Sequence, residues 1–183
     1  RAAARRKVFA MCTTDKCELA KGATVAAEDL YTGETFKFMK RQIEGSDAEL
    51  GGVISAKHGV LDPAELVETY DVQLPKRKRG SGAGVSARAL EVVAGDDQLR
   101  KFVALVGDAE ELFFYGSADY RALMRNLLER AQEDGLVGRH VRFVEPTGTA
   151  KGGGPVGAGQ FKSSLKEWAG EAPLAPSARE VAA

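Results

Sequence analysis

A serine, a lysine and a histidine lie close together where an apolar run ends in the middle of the chain. The segment GVISAKHG places Ser55, Lys57 and His58 directly after the apolar residues. Imidazole titrates near neutral pH, so His58 is a candidate general acid or base, and the Lys57 ammonium could bind a phosphate. A structural histidine bonded to a backbone carbonyl explains the same residues equally well. This group is the first candidate for a functional site.

A second group follows the apolar run KVFAMC near the start of the chain. Cys12 ends the run, and Asp15 and Lys16 come directly after it. Asp15 could activate water or stabilise a developing oxocarbenium charge, and Lys16 could hold a phosphate. Cys12 could act as a nucleophile if a nearby positive charge stabilised its thiolate, although cysteine is also a common core residue. Each of these polar residues could equally be a solvated loop residue or a helix cap.

The remaining candidates are an aromatic–acidic pair, a tyrosine, a glycine turn and a basic run. They are Tyr70, Asp71, Tyr120, Gly157, Gln160, Lys76, Arg77, Lys78 and Arg79. Asp71 could orient His58, Tyr120 could stack on a base, and the glycine turn could cradle an anion at a helix start. The basic run could contact a phosphate backbone, but short basic loops are usually solvated surface.

The pattern of apolar residues predicts the elements that must position these side chains. Buried strands are expected at residues 7–12, 51–56, 111–116 and 140–145, with helices between them. The helices include one over residues 119–133, one over 86–106 with a break at 94–97, one within DLYTGETFKFMKRQI, and a last one over 161–168. LDPAEL is expected to start a short helix, with Asp62 as its N-cap and Pro63 at the first position.

These elements predict an α/β fold: a single domain with a mostly parallel four- to five-stranded sheet and flanking helices. Ligands of open α/β sheets bind beyond the carboxyl ends of the strands, which is where the candidate residues fall. The domain is expected to span residues 1–169 with a mobile basic and glycine-rich loop at 75–86, followed by a disordered tail at 170–183.

The composition limits the possible partners. The 183 residues carry 26 basic and 26 acidic side chains, so nucleic-acid or membrane binding requires a local patch rather than the overall charge. Cys12 and Cys17 do not have the spacing of a common zinc or redox motif, and no metal site or cofactor is predicted. No apolar run is long enough to span a bilayer, and we expect a cytoplasmic protein that does not associate with membranes.

Four segments, DLYTGETFKFMKR, ISAKHGVLDPAELVETYDVQL, LFFYGSADYRALM and GAGQFKSSLKEW, together resemble a bacterial and phage domain family of unknown function. That family is distantly similar to the YaaA peroxide-stress proteins. The resemblance implies a nucleic-acid-interacting α/β protein with a sheet like that of uracil-DNA glycosylases.

The resulting hypothesis is an enzyme directed at nucleotides or nucleic acid, acting at an N-glycosidic bond or a modified base. In it Asp15 and His58 are catalytic, and Lys16 and Lys57 hold phosphate. The alternative is a non-catalytic nucleic-acid-binding module of the YaaA-like stress-response type. The sequence leaves the oligomeric state open.

Overall fold

The structure is a computed structural model that describes residues 5–75, 87–146 and 157–172. The strands are β1 (Arg6–Met11), β2 (Val25–Ala26), β3 (Ala48–Ser55), β4 (Gly59–Leu61), β5 (Leu66–Val67), β6 (Glu111–Tyr115) and β7 (Arg142–Val144). The helices are α1 (Ala27–Leu30), α2 (Glu34–Ile43), α3 (Ala87–Leu90), α4 (Asp96–Val106), α5 (Ala118–Glu133) and α6 (Ala158–Gly170), with a 3-10 turn at Glu91–Val93.

The main sheet has five strands in the order β4-β3-β1-β6-β7. Strands β3, β1, β6 and β7 run parallel, and β4 returns antiparallel along the outer side of β3. The predicted mostly parallel α/β sheet is therefore confirmed. After β1 the chain passes first to one side, for β3, and later to the other, for β6, so the order reverses beside β1. Open α/β sheets bind ligands outside the carboxyl ends of the strands at such a reversal.

Both faces of the sheet are covered, so its central strands are apolar on both sides. On one face, Val8, Ala10, Phe113 and Tyr115 pack with residues of α1, α2 and α6. On the other, Phe9, Ile54, Leu112 and Phe114 pack with residues of α4 and α5. This three-layer packing fixes the strand ends, and hence the loops that follow them.

A shift in the pairing of β1 with β3 makes room for a large side chain. Val8 pairs with Leu50 but Phe9 pairs with Gly52, so Gly51 is the extra residue. A Cβ atom on Gly52 would lie 2.8 Å from the Phe9 ring. The two glycines therefore leave space for the Phe9 ring beside β3.

The prediction that a helix starts at LDPAEL is wrong, because the structure has no helix between β4 and β5. Asp62 does act as a local cap, since its Oδ1 accepts a hydrogen bond from Ala64 N at 2.9 Å, but the chain makes only a turn before β5. The Pro63 and Glu65 carbonyls accept bonds from Glu28 N and Ala27 N, so this turn caps α1 instead. Tertiary pairing has overridden the local helix signal.

The other element predictions hold, with changed limits. The 3-10 turn and α4 meet at Gly95, within the predicted break. β7 is shorter than its predicted strand, and α6 begins earlier and extends to Gly170. Residues 76–86 of the predicted mobile loop and 173–183 of the predicted tail lie outside the described residues.

Candidate functional site

A crevice of about 570 Å³ opens at the carboxyl end of the sheet, where the strand order reverses between β1 and β6. We call it the first crevice. It is lined by the segment after β1 (Met11, Cys12, Thr13, Thr14, Asp15, Lys16), the start of α2 (Gly33, Glu34, Thr35), residues 71–75, and the start of α5 (Ser117, Asp119, Tyr120). The first amide groups of both helices lack helical partners, which favours acceptor groups or anions there.

The segment after β1 is held on both sides. Cys12 N donates to Ile54 O of β3 at 3.0 Å, and Asp15 O accepts from Thr32 N at 3.0 Å and from Thr13 Oγ1 at 2.9 Å. Gly33, just before α2, packs so closely that a Cβ atom there would lie 2.9 Å from the Thr13 side chain. The Asp15 carboxylate is exposed and lines the first crevice.

Cys12 contacts a tyrosine on the opposite side of the first crevice. Its Sγ lies 3.2 Å from the Tyr120 hydroxyl, and either atom can donate. Burial and the neighbouring Cys12 raise the pKa of Tyr120 above its ordinary value. Tyr120 therefore keeps its phenolic proton throughout the neutral range and can donate a hydrogen bond.

Three hydroxyl groups form a chain behind Cys12. The Tyr70 hydroxyl lies 2.7 Å from the Tyr31 hydroxyl and 2.7 Å from Ser55 Oγ. Ser55 Oγ also accepts from Lys57 N and His58 N, both at 3.1 Å. A serine hydroxyl has two acceptor sites and one proton, so Ser55 donates its proton to Tyr70. Ser55 is thus a structural junction between the turn after β3 and the phenol of Tyr70.

The tyrosines of this chain stay neutral. Burial raises the pKa of Tyr31 to about 12 and raises the pKa of Tyr70 further, and Cys12 contributes in the same direction to both. Their hydroxyls therefore act as hydrogen-bonding groups rather than as charged ones.

Lys16 lies over the ring of Tyr70. Its Nζ is 4.4 Å from the ring centroid and donates to Thr14 O at 3.2 Å. A second crevice, of about 540 Å³, lies on the other side of this lysine; it is lined by Thr14, Lys16, Cys17, Glu18, Leu19, Thr69, Tyr70 and Asp71. Lys16 and Asp71 therefore line both crevices.

His58 lies outside the lining of both crevices. Its ring meets the Tyr70 ring edge-on, with centroids 5.2 Å apart, and Lys57 Nζ lies 5.7 Å from the same ring. Burial, and then the Lys57 charge, lower the pKa of His58 below its ordinary value. Its Nε2 is buried and has no hydrogen-bond partner in the part of the chain that is described.

The structure thus brings most of the predicted site residues together around Tyr70 and the first crevice. Cys12, Asp15, Lys16, Asp71 and Tyr120 line the first crevice, and Ser55, Lys57, His58 and Tyr70 form the group behind it.

Two sets of predicted residues are not part of this group. Gly157 N donates to Gln160 Oε1 at 3.0 Å, so the Gln160 side chain caps the start of α6. Neither residue lines the first or the second crevice. Lys76, Arg77, Lys78 and Arg79 lie outside the described residues, although Pro75, the residue before them, lines the first crevice.

Sequence reasoning missed Tyr31, which is bonded to Tyr70 in the hydroxyl chain. Tyr31 is 3% exposed and would have been assigned to the core. The signal that could have found it is its position just after α1, opposite Lys16 in an isolated antiparallel bridge, but that pairing is visible only in three dimensions.

Among the described residues, no three His, Cys, Asp or Glu side chains come together as metal ligands. None of their helices combines the length and the apolar character needed to cross a membrane.

Comparison with known proteins gives one match. Residues 9–137 match DUF6884, a family of unknown function. This stretch includes both crevices and every residue that lines them. No curated protein and no solved structure matches the chain.

Proposed function

We propose that this chain, which belongs to the DUF6884 family, binds a nucleoside unit of a nucleic acid or nucleotide and acts at its N-glycosidic bond. The observation that carries the proposal is the first crevice, which is placed where the strand order reverses and is lined by Asp15, Asp119 and Tyr120. Its volume of about 570 Å³ falls within the usual range of small-molecule sites.

The chemistry of the lining suits this reaction. Breaking an N-glycosidic bond develops positive charge on the sugar, which a carboxylate stabilises, and it requires a water to be activated. Asp15 is the proposed group for both tasks because its carboxylate is exposed to the first crevice. Tyr120 has its hydroxyl bonded to Cys12, which leaves its ring as a surface on which a base can stack.

The placement of His58 gives its catalytic role less support than that of Asp15. His58 does not line the first crevice, and its backbone N is bonded to Ser55. We therefore assign leaving-group stabilisation to the amides at the start of α5, and keep His58 as a second candidate.

The test is release of free base from single- and double-stranded DNA, from RNA and from nucleosides. Asp15→Asn should lower the rate on any accepted substrate by about 100-fold or more, the effect usual for a general base. Glu34→Gln is the matched control: Glu34 lines the same crevice but pairs with Arg41 at 3.7 Å. Equal activity of Asp15→Asn and wild type would contradict the role of Asp15.

The second candidate function is nucleic-acid binding without catalysis. It is favoured by the position of Pro75, which lines the first crevice immediately before the basic run Lys76–Arg79. Replacing the four basic residues by glutamine should weaken binding for every sequence and flatten its dependence on salt. Binding that is unchanged by these substitutions would exclude this function.

Three further expectations belong to this proposal. The family is proposed to be a bacterial and phage one that is distantly similar to the YaaA peroxide-stress proteins; ISAKHGVLDP, the segment that carries most of this resemblance, forms the end of β3, a turn and β4. A cytoplasmic location fits the two free cysteines, Cys12 and Cys17. Hydrolase or glycosylase activity follows only from the first of the two candidate functions.

A further inference from the structure

Lys16 occupies an unusual position for a loop lysine. It is half-buried, its Nζ lies over the Tyr70 ring at 4.4 Å, and it lines both crevices. Of its three N–H donors, one is used by Thr14 O. Among the described residues, no carboxylate oxygen lies within 4 Å of this ammonium group, although Asp71 and Glu18 line the second crevice with it. The ammonium group of Lys16 therefore retains N–H donors, and no carboxylate of the described residues pairs with its charge.

Tyr70 is itself held from behind. Its hydroxyl is bonded to Tyr31 and to Ser55, both of which are buried, and His58 packs against its ring edge. A ring fixed in this way offers the ammonium group one defined position instead of the many that a lysine on a free loop would adopt. The attraction of a cation to the face of a tyrosine ring contributes to that order.

We infer that Lys16 is the anchor of a phosphate subsite at the junction of the two crevices, and that Tyr70 is the positioning residue that holds it there. This inference rests on the proposed function, because the phosphate would belong to the nucleotide whose nucleoside enters the first crevice. Lys57 is exposed and its Nζ lies 5.7 Å from the same ring, so it adds a second positive charge near Tyr70, although it lines neither crevice. An ammonium group is a point charge that binds phosphate without the fork geometry of arginine.

The experiment uses the full chain with ¹³C at the Cε atom of its lysines, which leaves the three N–H donors of each ammonium group in place. The Cε–H signals are assigned with Lys16→Arg and Lys162→Arg. Lys162 is the matched control, since its Nζ lies 5.3 Å from the Phe38 ring, away from both crevices. The Lys16 signal should be displaced by the ring current of Tyr70 and should move when inorganic pyrophosphate is added, whereas the Lys162 signal should not move.

Variants separate positioning from general stability. Lys16→Ala should weaken pyrophosphate binding by about tenfold, as expected for loss of one charge-assisted hydrogen bond. Tyr70→Leu should return the Lys16 signal to the position of a free lysine and weaken binding by roughly fivefold, and Tyr70→Phe, which keeps the ring, should retain the displaced signal. If Tyr70→Leu does not fold, Lys16→Ala and Tyr70→Phe still decide the outcome.

The inference is overturned if pyrophosphate leaves the Lys16 signal in place, moves both lysine signals equally, or binds Lys16→Ala as tightly as wild type. Its failure is distinguishable from failure of the proposed function. A Lys16 signal that responds to pyrophosphate in a protein that neither binds nor cleaves any nucleoside or nucleic acid would support the phosphate subsite and reject the N-glycosidic reaction.

Discussion

The amino and carboxyl ends of the sheet both bury polar side chains, but they satisfy them in different ways. At the amino end, Arg6 is fully buried and bonds Asp47 at 2.7 Å, Glu111 at 3.3 Å and the Trp168 carbonyl. Its guanidinium lies 4.2 Å from the Trp168 ring centroid, and the Trp168 indole donates to Glu111 at 3.0 Å. Arg142 bonds the other oxygen of Glu111. Every charge in this cluster is used by another group of the protein.

In the part of the chain that the structure describes, the carboxyl end contains hydroxyls, a thiol and a lysine instead of buried ion pairs. The hydroxyls of Ser55, Tyr70 and Tyr31 bond to one another. Lys16, Asp15 and Asp71, in contrast, line open crevices. A buried ion cluster whose donors and acceptors all have protein partners contributes to the fold. Groups whose donors or acceptors have no protein partner are available to a ligand. The type of bonding, more than burial itself, separates the structural end of this sheet from its candidate site.

The largest expected effect tests the structural end. Arg6→Ala should lower the free energy of unfolding by about 3–5 kcal/mol, since it leaves Glu111 with a buried charge that only Arg142 offsets. Arg5→Ala is the control, because the adjacent Arg5 pairs with the more exposed Glu110 and should cost at most about 1 kcal/mol. Urea denaturation of the two variants measures both. Similar values for the two would show that the cluster at the amino end is not the main ion-pair contribution to stability.

The next effect tests whether the phenols of the carboxyl end are held neutral. Burial raises the pKa of all four tyrosines, that of Tyr31 to about 12 from an ordinary value of 10.0. A raised pKa stabilises the folded state fully below pH 10, and this stabilisation is lost as the pH rises through the folded value. For Tyr31, the difference between a folded pKa of about 12 and the ordinary 10.0 corresponds to about 3 kcal/mol.

Phenolate absorbance measures this effect directly. We expect the folded protein to show almost no phenolate at pH 10, and ionisation to coincide with unfolding at higher pH. Tyr31→Phe should flatten the loss of stability between pH 10 and 12. Reversible ionisation of several tyrosines near pH 10 in the folded protein would contradict the buried hydroxyl chain.

Much of this arrangement could be predicted from the sequence. The apolar runs predicted the four parallel strands because strands covered on both faces are apolar throughout. The strand-end rule then selected Cys12, Asp15, Lys16 and Tyr120, all of which line one crevice. β4 was not predicted, because a three-residue strand beside a glycine turn carries no periodic signal. The false helix at Asp62 arose because capping residues stabilise a turn as well as a helix start.

The hydroxyl chain could not be predicted, for a different reason. Tyr31, Ser55 and Tyr70 come from three separate segments, and their meeting depends on the packing of α1 and β5 on the sheet. Tyr31 has the apolar ring of a core residue, so its sequence neighbours do not distinguish a packed ring from a bonded hydroxyl.

The smallest expected effect tests how closely Lys57 and His58 interact behind the site. The pKa of His58 is lowered first by burial and then by the Lys57 charge, so Lys57→Ala should raise it only part of the way back. The chain has two histidines, and His140→Gln assigns their NMR signals. Because a lowered histidine pKa stabilises the folded state above the ordinary value of 6.5, stability should fall as the pH drops through the folded value, and His58→Gln should weaken this dependence. An unchanged His58 titration in Lys57→Ala would show that the Lys57 charge does not contribute to the lowered pKa of His58.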